Sequence, residues 1–202
     1  MKKQHSTFKA SLATTGVLIL SAGLAACSYS GSEEARTGQM NNGEMAEQAM
    51  IDGSTATPAD YKNWPKFVAT VDKVSVPQVR ELYINQAGMR LKRGEDFPSG
   101  TISVMELYEA QKLADGKPRM DAKGNLIKGK LSKIFIMEKG KGWGSKQPAG
   151  TIDNGDWIYS AYLADGKTPA TKDFAACRSC HLPLADKDYI ARYDEHFDYH
   201  KK

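Results

Sequence analysis

The sequence predicts a mainly β (α+β) domain: an antiparallel sheet accompanied by a few helices. Two observations lead there. Five stretches between residues 67 and 163 are apolar, β-branched and aromatic-rich or alternate in polarity, and Gly, Pro, Asn and Asp punctuate them. Helical patterning, by contrast, is confined to residues 171–180 and 186–193 and one short piece after Asn85.

The first nine residues carry Lys2, Lys3 and Lys9 and no acid, and no charge follows from Ala10 through Ser32. A basic start, the apolar run GVLILSAGLAA and small residues at its end predict a secretory leader over residues 1–26. Ser11, Thr14, Thr15 and Ser21 interrupt the run, leaving it short of the ~18 apolar residues of a membrane-spanning helix. Leu24-Ala25-Ala26-Cys27 resembles a bacterial lipobox, so Cys27 is the expected lipidation site. Acyl chains contribute ~0.8 kcal/mol per buried methylene, so a multiply acylated Cys27 would hold the chain to a membrane. The expected location is the bacterial cell envelope, with the domain facing the periplasm.

Residues 27–57 contain one aromatic and one β-branched apolar side chain, too few to offset the entropy of ordering, and read as a flexible tether. Met40, Met45 and Met50 recur at a spacing that shares no helical face and make no copper-site pattern. Loss of the leader lysines brings the 28 basic side chains close to the 24 acidic ones, and no basic patch points to nucleic acid.

The folded domain is expected over residues 58–202, long enough to bury a real core. FVATV (67–71) reads as a strand. VRELYI (79–84) sets Arg80, Leu82 and Ile84 on one face and Val79, Glu81 and Tyr83 on the other. Asn85 caps a helical piece running to Gly94, and the turn FPSG (97–100) leads into TISVMELY (101–108). Residues 114–130 form a polar, turn-rich excursion; SKIFIME (132–138) and DWIYSAYL (156–163) complete the strands.

The chemistry sits in Cys177-Arg178-Ser179-Cys180-His181. Cys-x-x-Cys-His is the attachment pattern of c-type haem. On one turn of helix both cysteines can add sulfur to a haem vinyl group, and the adjoining His181 becomes the iron ligand. Export suits this chemistry, and with Cys27 lipidated no cysteine of the chain is left unexplained. A Cys177–Cys180 disulfide would close a very short loop and stabilise little. Zinc would need a fourth ligand, for which His196 and His200 are the other histidines of the mature chain. A thioredoxin-like dithiol would want a βαβ setting.

With YKNWPKF (61–67), VRELYIN (79–85), FPSGTISVMELY (97–108), GDWIYSAYL (155–163) and CRSCH (177–181) in this order, the domain resembles the cytochrome P-460 family, which includes the cytochromes c′-β. The resemblance implies an antiparallel β domain, usually a homodimer. It also implies one covalently bound haem c, with histidine below the iron and an open or water-filled position above it. Hydroxylamine-oxidising members carry a lysine joined to the haem edge within a pattern resembling Gly-Thr-x-x-Val-Lys-Glu-Leu. Here that strand reads Gly100-Thr101-Ile102-Ser103-Val104-Met105-Glu106-Leu107, with Met105 in the lysine's place at the haem edge. A thioether has no amine with which to form the bond. Arg80 matches an arginine that the family sets near the haem.

The expected function is thus a membrane-tethered mono-haem cytochrome binding nitric oxide or a similar small nitrogen-oxide ligand at a five-coordinate iron. Two other functions stay open: an enzyme oxidising hydroxylamine or converting a nitrogen oxide, and a His/Met electron carrier with Met105 on the iron.

Overall fold

The structure, a computed structural model, describes residues 50–201. The leader, Cys27 and the tether through residue 49, with Met40 and Met45, lie outside the described residues. Five strands form one antiparallel sheet in chain order: β1 (Val71–Lys73), β2 (Gln78–Ile84), β3 (Ile102–Ala110), β4 (Lys128–Lys139) and β5 (Trp157–Leu163). Three short helices accompany it: α1 (Gln86–Met89), α2 (Phe174–His181) and α3 (Tyr193–His200). The mainly β, antiparallel class predicted by patterning is the class observed. Among the described residues no helix is long and apolar enough to cross a membrane.

Register assigns the two faces. Leu82, Met105, Phe135 and Ala161 form one cross-strand row; Tyr83, Val104, Ile136 and Ser160 form the next, pointing the opposite way. On the second face Tyr61, Tyr83, Val104, Ile134 and Ile136 pack as a buried cluster. Within it lies Glu106, 1% exposed. Tyr61 donates to Glu106 Oε1 at 2.7 Å, while Tyr108 and Tyr83 donate to Oε2 at 2.8 and 3.1 Å. Burial alone would raise this carboxyl, but the three phenol donors and Lys62 outweigh it and hold Glu106 below its usual value.

The first face carries a second core, where Phe67, Phe97, Trp157, Ile190 and Tyr193 meet. The 67–71 segment differs from its expected strand. Lys66 pairs with Tyr83 only as an isolated bridge and the regular strand starts at Val71, because Phe67 and Val68 are both buried and two consecutive inward side chains break strand alternation. Asn85 does cap α1, accepting from Gly88 N at 3.1 Å, but the helix ends at Met89 rather than Gly94. Gly88 explains the tight seat: a Cβ there would fall 2.3 Å from Ile84 Cδ1. The predicted helix over 186–193 is instead a 3-10 turn over Leu182–Lys187, and α3 follows it. α3 packs Tyr193 and His196 inward. The His196 ring stacks on Phe67 at 4.4 Å, and its Nδ1–H donates to Phe67 O.

Composition places residues 51–55 in the tether; in the structure they lie along β5. Gly53 N donates to Tyr159 O at 2.7 Å, Thr55 Oγ1 pairs with Ser160 Oγ at 2.9 Å, and Tyr162 donates to Thr55 O at 2.6 Å. Polar bonds rather than apolar burial hold the segment, a signal that hydropathy does not register. Its strongest link is to α2. Arg178, 1% exposed, grips Asp52 with Nε at 2.7 Å and Nη2 at 2.9 Å, and donates further to Ile152 O and Trp157 O. This bidentate pair fixes the helix that carries both cysteines.

Removing one partner of a buried pair leaves an unpaired charge, so Asp52→Asn should cost about 3–5 kcal/mol in urea unfolding. Tyr61→Phe should cost about 1.5–3 kcal/mol by deleting one donor to a buried carboxylate. Because the folded-state pKa of Glu106 is depressed, its contribution is present above about pH 4.3 and lost as pH falls through the lower folded value. Acid unfolding of Glu106→Gln should therefore be shallower than that of the native chain.

Candidate functional site

α2 starts at Asp173, whose carboxylate caps Ala175 N at 2.9 Å, and ends on His181. Within this turn Cys177 is half-buried and Cys180 exposed, and both thiols are free. Burial pushes the Cys177 thiol up, with Lys172 opposing, so Cys177 is no activated thiolate of the dithiol-exchange kind. The zinc alternative has no ligand set. His196 Nδ1 is engaged by Phe67 O and His200 Nε2 by Lys66 O, and no group of three or more metal-ligating side chains occurs among the described residues.

His181 donates Nδ1–H to Tyr189 O at 2.7 Å, which leaves Nε2 as the unprotonated nitrogen. Burial lowers the pKa of the imidazole, with the Tyr189 bond opposing, so the ring is neutral and fit to ligate. The Tyr159 ring meets it edge-on at 5.4 Å. Tyr189 belongs to a strained loop in which Asp188, Tyr189 and Arg192 take left-handed φ of 49°, 59° and 64°. Each such non-glycine residue costs roughly 1–2 kcal/mol, so surrounding contacts must hold the loop.

α2 and the first face of the sheet enclose a cleft of about 350 Å³. One wall carries Cys177, Cys180 and His181; the sheet supplies Leu82, Met105, Phe135 and Met137, with Arg80 and Tyr159 beside them. The candidates Arg80, Met105, Cys177, Cys180 and His181 therefore line one cavity. Lys172, Arg192, Phe135 and the Tyr189 carbonyl are site elements that motif reading missed. A second hollow of about 380 Å³, lined by Gly144, Asp153, Asp156 and Arg178, contains neither motif cysteine nor His181.

The charge of the cleft is one-sided. Arg80, Lys172 and Arg192 line it, and no carboxylate does among the described residues. Burial, then the nearby Arg192 charge, lowers the Arg80 guanidinium. Arg80 Nε and Tyr159 Oη are buried without hydrogen-bond partners. Arg192 is paired with Glu195, but the buried orphan donors beside Arg80 and Lys172 fit an acidic group that shares the cleft. A haem fits on three counts. Its apolar ring suits the Leu82–Met105–Phe135 wall, its propionates suit the cations, and its vinyl groups suit the free cysteine pair.

The comparisons agree with this geometry. The family model described as Cytochrome P460 matches residues 58–191, taking in β1 through β5, α2 and the Cys-x-x-Cys-His turn. A search of curated proteins finds no significant match. That family implies a c-type haem, which is the group the cleft's walls and charges accommodate. The chain belongs to the cytochrome P460 family.

Proposed function

We propose that this protein binds nitric oxide, or a similarly small nitrogen-oxide ligand, at a single haem c held in the cleft. Cys177 and Cys180 form the thioether links and His181 Nε2 is the iron ligand. When bound, the haem supplies an iron with one open coordination position for a diatomic. The observation that carries the reading is the sheet wall: Leu82, Met105, Phe135 and Met137 present thioether and hydrocarbon, with Met105 where hydroxylamine-oxidising relatives have a cross-linking lysine. Such a wall admits a neutral diatomic and offers it neither a proton acceptor nor an amine.

The chain's own residues have distinct tasks. Arg178 and Asp52 hold α2, and with it both cysteines, against the sheet. The Tyr189 carbonyl keeps His181 in the tautomer whose Nε2 is free. Arg80, with Nε buried and unpartnered, is placed to donate to a polar ligand or to a propionate. Hydroxylamine oxidation is the second reading, and it requires acceptors for the protons released. Among the described residues no carboxylate lines the cleft, which speaks against it. The lipobox supports anchoring through Cys27 at the periplasmic side of a membrane, and the family resemblance supports a homodimer.

The absorption spectrum of the purified protein tests the function directly. A high-spin ferrous haem with a c-type Soret band that shifts on adding nitric oxide is expected. A strongly red-shifted ferrous Soret band would reveal a haem cross-link despite Met105, and a low-spin band set with methionine-to-iron charge transfer would identify an electron carrier. Cys177→Ala with Cys180→Ala should abolish haem that survives denaturation. Met105→Lys should introduce the red-shifted band if the register of β3 brings the amine to the haem edge. Cys27→Ser should move the protein from the membrane to the soluble fraction.

A further inference from the structure

The Tyr189 carbonyl that receives His181 Nδ1–H at 2.7 Å lies in a loop that would not settle there unaided. Asp188, Tyr189 and Arg192 are all left-handed, and none is glycine. Tyr189 N closes back on Leu184 O at 2.8 Å, which bends the loop but does not attach it to the sheet. The attachment is Asp188. Its carboxylate is 6% exposed and receives Lys139 Nζ at 2.8 and 2.9 Å from the end of β4. It also receives Phe97 N–H at 2.8 Å from the turn that precedes β3. Lys139 is itself 12% exposed, and its Nζ lies 5.8 Å from the centre of the Trp157 ring. A buried ion pair thus fastens the residue immediately before Tyr189 to the sheet that forms the far wall of the cleft.

We infer that Asp188 and Lys139 are positioning residues for the iron ligand: they hold the Tyr189 carbonyl against His181 and so set the ring orientation and donor strength of Nε2. The inference rests on the haem reading. A hydrogen bond to the distal nitrogen of a ligating imidazole fixes its tautomer and raises its basicity, and the groups that hold that acceptor tune the metal in turn. A neutral carbonyl at this position keeps the ring an imidazole of moderate strength. Were a haem bound, the firmness with which Asp188 and Lys139 hold the Tyr189 carbonyl would set how strongly His181 Nε2 can donate to its iron. The neighbouring Lys187–Asp194 pair provides the contrast: its partners are 38% and 49% exposed, it joins the loop to α3, and it makes no bond to Asp188 or Tyr189.

The test uses the full-length, haem-loaded protein with four variants: Asp188→Asn, Lys139→Gln, Lys139→Arg and Lys187→Ala. Covalent haem per chain is measured first; a native chain without it removes the haem reading and this inference together. Resonance Raman of the ferrous form then reads the iron–histidine stretch, and EPR reads the coordination number of the nitric oxide complex. At unchanged haem content, Asp188→Asn and Lys139→Gln should lower the stretching frequency and increase the five-coordinate share severalfold. Lys139→Arg, which keeps the pair, and Lys187→Ala should match the native chain. Should Asp188→Asn not accumulate, Lys139→Gln gives the same readings with the Phe97 bond left in place. Native bands in Lys139→Gln, or an equal shift in Lys187→Ala, would overturn the assignment while leaving the haem reading intact.

Discussion

The carboxylate of Glu106 decides which way β3 faces, and the site depends on that choice. A strand sends successive side chains to opposite faces, so a slip of one residue would exchange them. Glu106 is 1% exposed and satisfied by three tyrosine hydroxyls. Turned to the other face, it would lose all three of those donors, and Met105 would leave the cleft wall with it. The same choice presents Met105 to the cleft, and through register it aligns Leu82 and Phe135 beside it. A polar cluster on the far face of the sheet thereby specifies an apolar wall on the near one.

The opposite wall is fixed by separate means. Cys-x-x-Cys-His is a local arrangement, and α2 would form wherever Asp173 capped it, but its place on the sheet follows from Arg178. That residue occupies one of the two variable positions of the motif, yet it is buried and bonded to Asp52, Ile152 and Trp157. The guanidinium also lies 5.3 Å from the centre of the Tyr159 ring, the ring that meets His181 edge-on. One side chain therefore links the N-terminal segment, β5 and the motif helix. The cleft is a gap between two separately anchored walls.

Much of this was legible in the sequence because it rests on periods and spacings. Alternation in VRELYI separated Arg80 and Leu82 from Glu81 and Tyr83, and the structure keeps that separation. The motif identified Cys177, Cys180 and His181, and the family pattern added Met105 and Arg80; all five line one cleft. What escaped depends on polar contacts across long separations. Asp52 lies 126 residues from Arg178, in a segment whose composition reads as tether. α3 was missed because its inward positions, Tyr193, His196 and Phe197, have helical spacing but include a histidine that hydropathy counts as polar. The acidic residues of α3 lie toward solvent, where Asp194 and Asp198 pair with Arg93. The Tyr189 acceptor could not be read at all, since a backbone carbonyl leaves no mark in side-chain identity.

Proton traffic separates binding from catalysis in such a cleft. Oxidising hydroxylamine releases protons as well as electrons, and a positioned base of suitable pKa is the ordinary means of accepting them. Among the described residues, the titratable groups that line this cleft are two arginines, a lysine, a phenol, two cysteines and His181. Burial raises the pKa of Tyr159, so the phenol keeps its proton and is not a base. In the proposed reading the cysteines attach the haem and His181 Nε2 ligates its iron, while His181 Nδ1–H is donated to the Tyr189 carbonyl. The cations would repel a proton rather than take it. Reversible binding of a neutral diatomic moves no proton, so it places no demand that these residues fail to meet. Under the binding reading, Met105 in the sheet wall and, among the described residues, the lack of a carboxylate lining the cleft act in the same direction: both leave a bound small ligand beside groups that do not take a proton.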